Sequence, residues 1–312
     1  MAPIQRTPST QTVIDKLDEK PTLPPKPSPP PLRLVNSEKV LAYRGSNKYL
    51  LKGYRPDDDT SVVHALFRLN NQSFNIWSHL AGTIIFLLPR LVAPPIPGAP
   101  WLSEALRLHA FVGCCCGFAS AAFHVCESWP TATYSKLLAL DYTMAYVATV
   151  SHSGLIVAYE MAELPRLCAA TLLPLLVLGA QGALYFFGSQ SKSNTTDPQH
   201  KVFLTMFGPF VFTIPILLRN FAAPTALTLV LLRWGLAFFA ASAAWLLKLP
   251  ECLFPPGTFD YLGNSHNVMH VMVFVVWREL HWGIRALIED AAAADAARAA
   301  QASSWLTSWL GM

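Results

Sequence analysis

The sequence predicts an all-α integral membrane protein, a bundle of seven transmembrane helices with its N-terminus cytoplasmic and its C-terminus extracytoplasmic. Three observations carry this. Hydrophobic residues make up 53% of the 312 and charged ones only 13%, about half the charge of an ordinary soluble domain. Seven mostly apolar stretches reach the ~17–25 residues a bilayer crossing needs, at about 74–92, 104–125, 137–158, 165–187, 202–219, 225–247 and 266–284. Lys and Arg crowd ahead of Asn71, and the remainder is apolar sequence cut by short polar joints.

Residues 1–36 form a Pro-, Ser- and Thr-rich cytoplasmic tail ending in LPPKPSPPPLRL, a composition that favours extended polyproline geometry and disorder. Pro21, Pro24 and Lys26 fit a loose PxxPxK pattern for SH3-type partners. A flexible tail with no dedicated partner is the simpler reading. Residues 37–73 read as an ordered, polar segment against the cytoplasmic membrane surface. No apolar signal-peptide core precedes them, so the first span is expected to direct insertion.

The transmembrane domain occupies 74–288. APPIPGAP closes the first span, and Pro174, Pro209 and Pro215 fall inside spans, where proline kinks are tolerated. Residues 289–312, Ala-rich and then SSWLTSWLGM, form a helical tail with an interfacial end. Cys114, Cys115 and Cys116 read as small packing residues rather than a disulfide framework. Net charge of +4 arises ahead of Asn71, and no basic–aromatic interleaving supports nucleic-acid binding.

Orientation is set by Arg44, Lys48, Lys52, Arg55 and Arg68 ahead of the first span, since positive charge favours the cytoplasmic side. The glycosylation sequon Asn194-Thr195-Thr196 falls in a joint this topology places in the cytosol. A glycan on Asn194 would reverse the orientation.

His266 and His270, in SHNVMH at the mouth of the last span, share one helix face at i and i+4, which suits two ligands of one metal ion. Ionisable groups inside a membrane span are costly and mark function. The second span runs inward and ends at SAAFH, with Ser120 and His124 one turn apart; the third begins on the same side with Asp141. Three imidazoles and an open fourth position describe a catalytic zinc site, whose water would be acidified to a pKa of about 7. Asp141 can orient an imidazole or take a proton from that water, and Ser120 can bond the water or an oxyanion.

Blander readings stand beside these. Ser120 suits a helix contact, Asp141 a cap or wet interface, and His79, lacking a spaced partner, a satisfied interhelical position. His109 and His281 lie toward the other membrane face, while His64, His152 and His200 have no partner at useful spacing, so all five are set aside. Arg233 reads as snorkelling outward.

GYRP, NQSFNIWSHL, SAAFH, LDYT and FPPGTFDYLGNSHNVMH, in that order, resemble the progestin and adipoQ receptor family, which includes adiponectin receptors, fungal zinc-homeostasis proteins and the bacterial haemolysin III group. The resemblance covers about 47–285, and the Pro-rich tail with its short lead-in looks most like fungal members. It implies seven helices with a cytoplasmic N-terminus, zinc on His124, His266 and His270, and Ser120 and Asp141 beside it. It also implies receptor-like signalling in lipid and zinc homeostasis; the plasma membrane and the endoplasmic reticulum both stay open, and an extracellular ligand, if any, is not readable from the sequence. Three positions depart from the family pattern: Gln72 where an acidic residue is common, Asn70 for a His, and Met144 for a Gly. They leave the ligands intact and bear on packing near the first span.

Two functions compete on this sequence. One is zinc-dependent hydrolysis of a lipid amide, ceramide or another sphingolipid, drawn from the surrounding membrane. The other is a non-enzymatic receptor in which zinc, closed off by Asp141, only pins helices together. A zinc transporter fits less well, because transport sites lie near mid-membrane and the sequence offers no second metal-binding constellation.

Overall fold

Proline and small polar residues set where the helices of this chain begin. The computed structural model describes residues 33–40, 44, 46–57, 59–192 and 205–309. The PxxPxK run, the 194–196 sequon and His200 lie outside the described residues. Helix α1 (Val62–Phe67) starts where Ser61 Oγ accepts the His64 N–H at 3.2 Å. Helix α2 (Ser73–Gly82) passes through a π turn, Thr83–Leu87, into a last turn at Leu88–Leu91. Helix α3 (Pro100–Val125) has proline at its first position, and α4 (Thr131–Glu160) comes directly after Pro130. Proline suits these places because the missing N–H has no helical partner there anyway.

Helix α5 (Pro165–Lys192) contains Pro174. A 3₁₀ turn (Gly208–Thr213) leads into α6 (Ile214–Ala222). Helix α7 (Ala226–Leu247) opens with a reciprocal capping box between Thr225 and Thr228 and ends at Lys248 in left-handed geometry, φ 56°. Helix α8 runs unbroken over Ser265–Trp309, about 68 Å at 1.5 Å per residue. Of the tail expected at 289–312, the described part, to Trp309, is thus a continuation of the last span: AAAADAARAA is rich in the best helix former, so nothing stops the helix there.

Among the described residues, four segments are long and apolar enough to cross a membrane: Pro100–Val125, Pro165–Gly188, Thr205–Ala222 and Ala226–Leu247. The stretches expected at 74–92, 137–158 and 266–284 are also helical but carry Asn75, His79, Asp141, His152, His266 and His270, or are interrupted by the π turn. Polarity is concentrated on these helices.

The packing explains why. Helix α8 lies along α7 and also meets α2 and α3, while α4 packs between α3 and α5. A core of Leu102, Leu106, Ile156, Leu231, Trp234, Leu280 and Ile284 ties α3, α4, α7 and α8 together. Two glycines allow the close approaches. A Cβ on Gly117 would lie 1.9 Å from Thr83 Oγ1, and one on Gly82 would lie 2.4 Å from the Phe274 ring. Small residues at such contacts let membrane helices touch backbone to side chain. They draw α2 onto α3 and α8, beside the histidines.

Candidate metal centre

Residues before α1 fix the end of α3 and hence His124. Arg55, 1% exposed, donates from Nη2 to the main-chain oxygens of Val125 at 2.7 Å and His124 at 3.3 Å. A cation there satisfies terminal carbonyls and complements the negative end of the helix. Arg44 in turn bonds the Arg55 carbonyl at 3.0 Å and ion-pairs with Asp57 and Glu127. Two of the charges counted for orientation are therefore buried structural groups. Burial pushes the neighbouring Tyr54 phenol well above its usual range, so it stays a donor, to Leu50 O at 3.2 Å.

The start of α8 is fixed as firmly. Asn264 Oδ1 accepts the N–H groups of His266 and Asn267, both at 3.1 Å. The buried Glu251 carboxylate accepts the Ser265 N–H at 2.6 Å and its hydroxyl, which also suits a helix N-terminus. This start places His266 in the first turn and His270 one turn on.

His124, His266 and His270 then converge, each offering one nitrogen and all three nitrogens lying within 4.8 Å of one another. His124 Nε2 and His266 Nε2 are 3.3 Å apart, roughly the ~3.3 Å between two nitrogens that share a tetrahedral zinc at ~2.05 Å. His124 and His270 are buried and His266 half-buried. The group can hold a metal ion.

Tautomers are set from outside the trio. His124 Nδ1 lies 2.8 Å from Gln72 Oε1, which also accepts from Asn75 Nδ2 at 2.7 Å. A carbonyl oxygen only accepts, so His124 carries its proton on Nδ1 and leaves Nε2 bare. His270 Nδ1 faces Ser78 Oγ at 3.4 Å, whose own hydrogen goes to Asn75 O. Asn75 Oδ1 accepts from Asn267 Nδ2 at 2.7 Å, closing the network from α2 to α8. Partners of this kind orient metal-binding imidazoles. Their bare Nε2 atoms present lone pairs that fit a cation and would repel one another without it.

Ser120 sits one turn before His124 and faces Asp141 across α3 and α4; Asp141 is not part of the convergent set. His79 packs its ring 4.1 Å from that of His270, with Phe274 beyond at 5.5 Å. It is interhelical as expected but not satisfied, for its buried Nδ1 has no hydrogen-bond partner.

Spacing misses several residues. Gln72, Asn75 and Ser78 recur every three residues in NQSFNIWS, a polar stripe that is readable as facing the ligands. His152, expected to have no partner, has one, and His109 and His281, placed toward the other membrane face, join it; none of the three belongs to the convergent set. His109 Nδ1 is 3.2 Å from His281 Nδ1, and His109 Nε2 is 2.9 Å from His152 Nδ1. One residue from each of three helices leaves no periodic signal in the chain.

A family model described as haemolysin-III related matches residues 67–277. Progestin and adipoQ receptor family member 4 of Homo sapiens is 30% identical over 251 residues, covering 76% of this chain and 87% of the relative; the Mus musculus counterpart is 29% identical over 252 residues, with the same two shares. The ADIPOR-like receptor IZH2 of Saccharomyces cerevisiae is 23% identical over 256 residues, 78% and 80% of the two chains. It is less similar than the mammalian relatives, which gives the fungal likeness little weight. With its apolar helices, the chain is an integral, multi-pass membrane protein. A match spanning 67–277 and the mammalian identities establish that it belongs to the haemolysin-III-related progestin and adipoQ receptor family.

Proposed function

We propose that this chain is a seven-span, adiponectin-receptor-like protein, N-terminus in the cytosol, whose His124, His266 and His270 hold zinc for hydrolysis of a lipid amide such as ceramide. The convergence of three imidazoles at one depth supports this most directly. Bound zinc would supply a Lewis acid and an acidified water. Asp141 would take the proton of the attacking water and return it to the departing amine, giving a sphingoid base and a fatty acid. Ser120, which faces Asp141 and lies one turn from His124, would hold that carboxyl and meet the developing oxyanion. An apolar substrate would enter sideways between helices from the membrane. The receptor names of the relatives support receptor-like signalling, in the lipid and zinc homeostasis that the family resemblance implies.

The competing reading, a receptor with structural zinc, needs a closed fourth position. That Asp141 lies outside the convergent group of His124, His266 and His270 favours the open site. Metal analysis of purified protein, then assay of fatty acid release from ceramide, separates them. Asp141→Ala should keep the metal and lose turnover, whereas metal with no turnover on any sphingolipid in the native chain would leave the receptor reading.

A further inference from the structure

We propose that His281, His109 and His152 form a binding site for a single proton, distinct from the metal centre and held by α8, α3 and α4. All three rings are buried, at 1%, 1% and 3% exposure, and the Trp277 ring packs tilted against two of them, 4.1 Å from His109 and 4.6 Å from His152. Trp234 of α7 adds an edge 6.2 Å from His152. Counting 1.5 Å per residue, the trio stands roughly 16 Å from His270 along α8 and roughly 22 Å from His124 along α3.

Its geometry suits a proton and not a metal ion. A chelate needs one nitrogen from each ring turned to a common point. Here His109 spends both nitrogens on different neighbours, Nδ1 on His281 and Nε2 on His152, so the three rings form a line. Both flanking rings present the same atom, Nδ1, toward the centre. In the neutral chain one flanking ring donates its Nδ1–H to His109, and His109 donates to the other. When a proton binds the bare Nε2 of the donating ring, that ring's Nδ1 proton passes to His109. His109 is then an imidazolium donating from both nitrogens to two Nδ1 acceptors. One proton is gained, both hydrogen bonds survive with their heavy atoms in place, and both become charge-assisted.

That compensation is what a buried charge requires. A second proton would remove an acceptor and add a like charge. The ionic groups acting on the trio are Arg90, from the end of α2, and Arg285 of α8, both on His281. They direct the positive charge away from His281 toward the central ring. Arg285 is engaged by Glu289 at 2.7 Å and Arg90 lies over the Trp282 ring. Among the described residues, α7 contributes Trp234, and none of the charged groups acting on the three rings comes from α7. Histidine is the side chain suited to such uptake near neutral pH.

Ring-¹⁵N-histidine NMR on the full-length protein in lipid nanodiscs, from about pH 8 to about pH 5, tests this. The expected result is one imidazole acquiring a second N–H, one proton per chain, while its two neighbours stay neutral. Nitrogen–nitrogen couplings across both hydrogen bonds should tie the three rings together in the native chain. His109→Gln keeps a donor and an acceptor at the centre but cannot become a cation, so it should abolish that uptake. Three rings that stay neutral until the fold is lost would overturn the proposal. So would absence of the couplings, which needs no variant, or uptake unchanged in His109→Gln.

Discussion

The two buried histidine trios draw on the same two long helices, α3 and α8, yet their nitrogens are arranged for opposite tasks. At one end, His124, His266 and His270 bring one nitrogen each to a common point. At the other, His281, His109 and His152 run in line. The difference lies in what surrounds each ring. Gln72 and Ser78 occupy the Nδ1 atoms of His124 and His270 and leave Nε2 bare. In the second trio the rings are one another's partners, with the tilted Trp277 ring against two of them, so no nitrogen set is left to converge. Histidine count therefore says little about metal binding in a membrane bundle; the acceptors behind the rings decide.

The largest expected effect breaks the first trio. His124→Ala should reduce metal in the purified protein from about one per chain to none, an affinity loss beyond the ~10–100-fold caused by removal of an outer partner. Gln72→Ala should fall within that ~10–100-fold range, measured by competition with a chelator. Gln72→Glu, which keeps the acceptor and adds charge, should bind at least as tightly as the native chain. If Gln72→Ala leaves affinity unchanged, the tautomer argument for the convergent trio fails.

Arg55→Met should act on stability more than on metal. It removes two charge-assisted bonds to the end of α3, worth roughly 1.5–3 kcal/mol each for hydrogen bonds to charged groups. A lower unfolding midpoint with metal still bound is the expected outcome. Equal loss of both would mean that the lead-in segment builds the site rather than bracing it.

How much of this can be read from the chain depends on whether a contact is local. His266 and His270 are one turn apart, and Ser120 and His124 likewise, so spacing alone puts each pair on a helix face. The apolar runs locate α3, α5 and α7 well, because hydropathy is a property of a window. The π turn at Thr83–Leu87 and the continuation of α8 to Trp309 are not legible as such. The first answers to packing at Gly117 and Gly82, and the second to the absence of any stop signal. Arg44 and Arg55 read as surface charge because nothing local reveals that Glu127 and the end of α3 wait for them. The joining of His109, His152 and His281 is hidden for the same reason: each is alone on its own helix, and only the bundle brings them together.

The smallest expected effect sharpens the comparison most. His281→Gln alters the linear trio at the α8 end while leaving an amide donor and acceptor near His109. One hydrogen bond is put at risk, so stability should fall by about 1 kcal/mol. Metal content should stay at its native level, because His281 lies three turns from His270 and contributes no atom to the convergent set. The measurement is metal stoichiometry beside the unfolding midpoint for His281→Gln and His124→Ala. If His281→Gln loses metal as His124→Ala does, the trios act as one extended unit along α3 and α8, and the distinction between a converging and a linear set of imidazoles collapses.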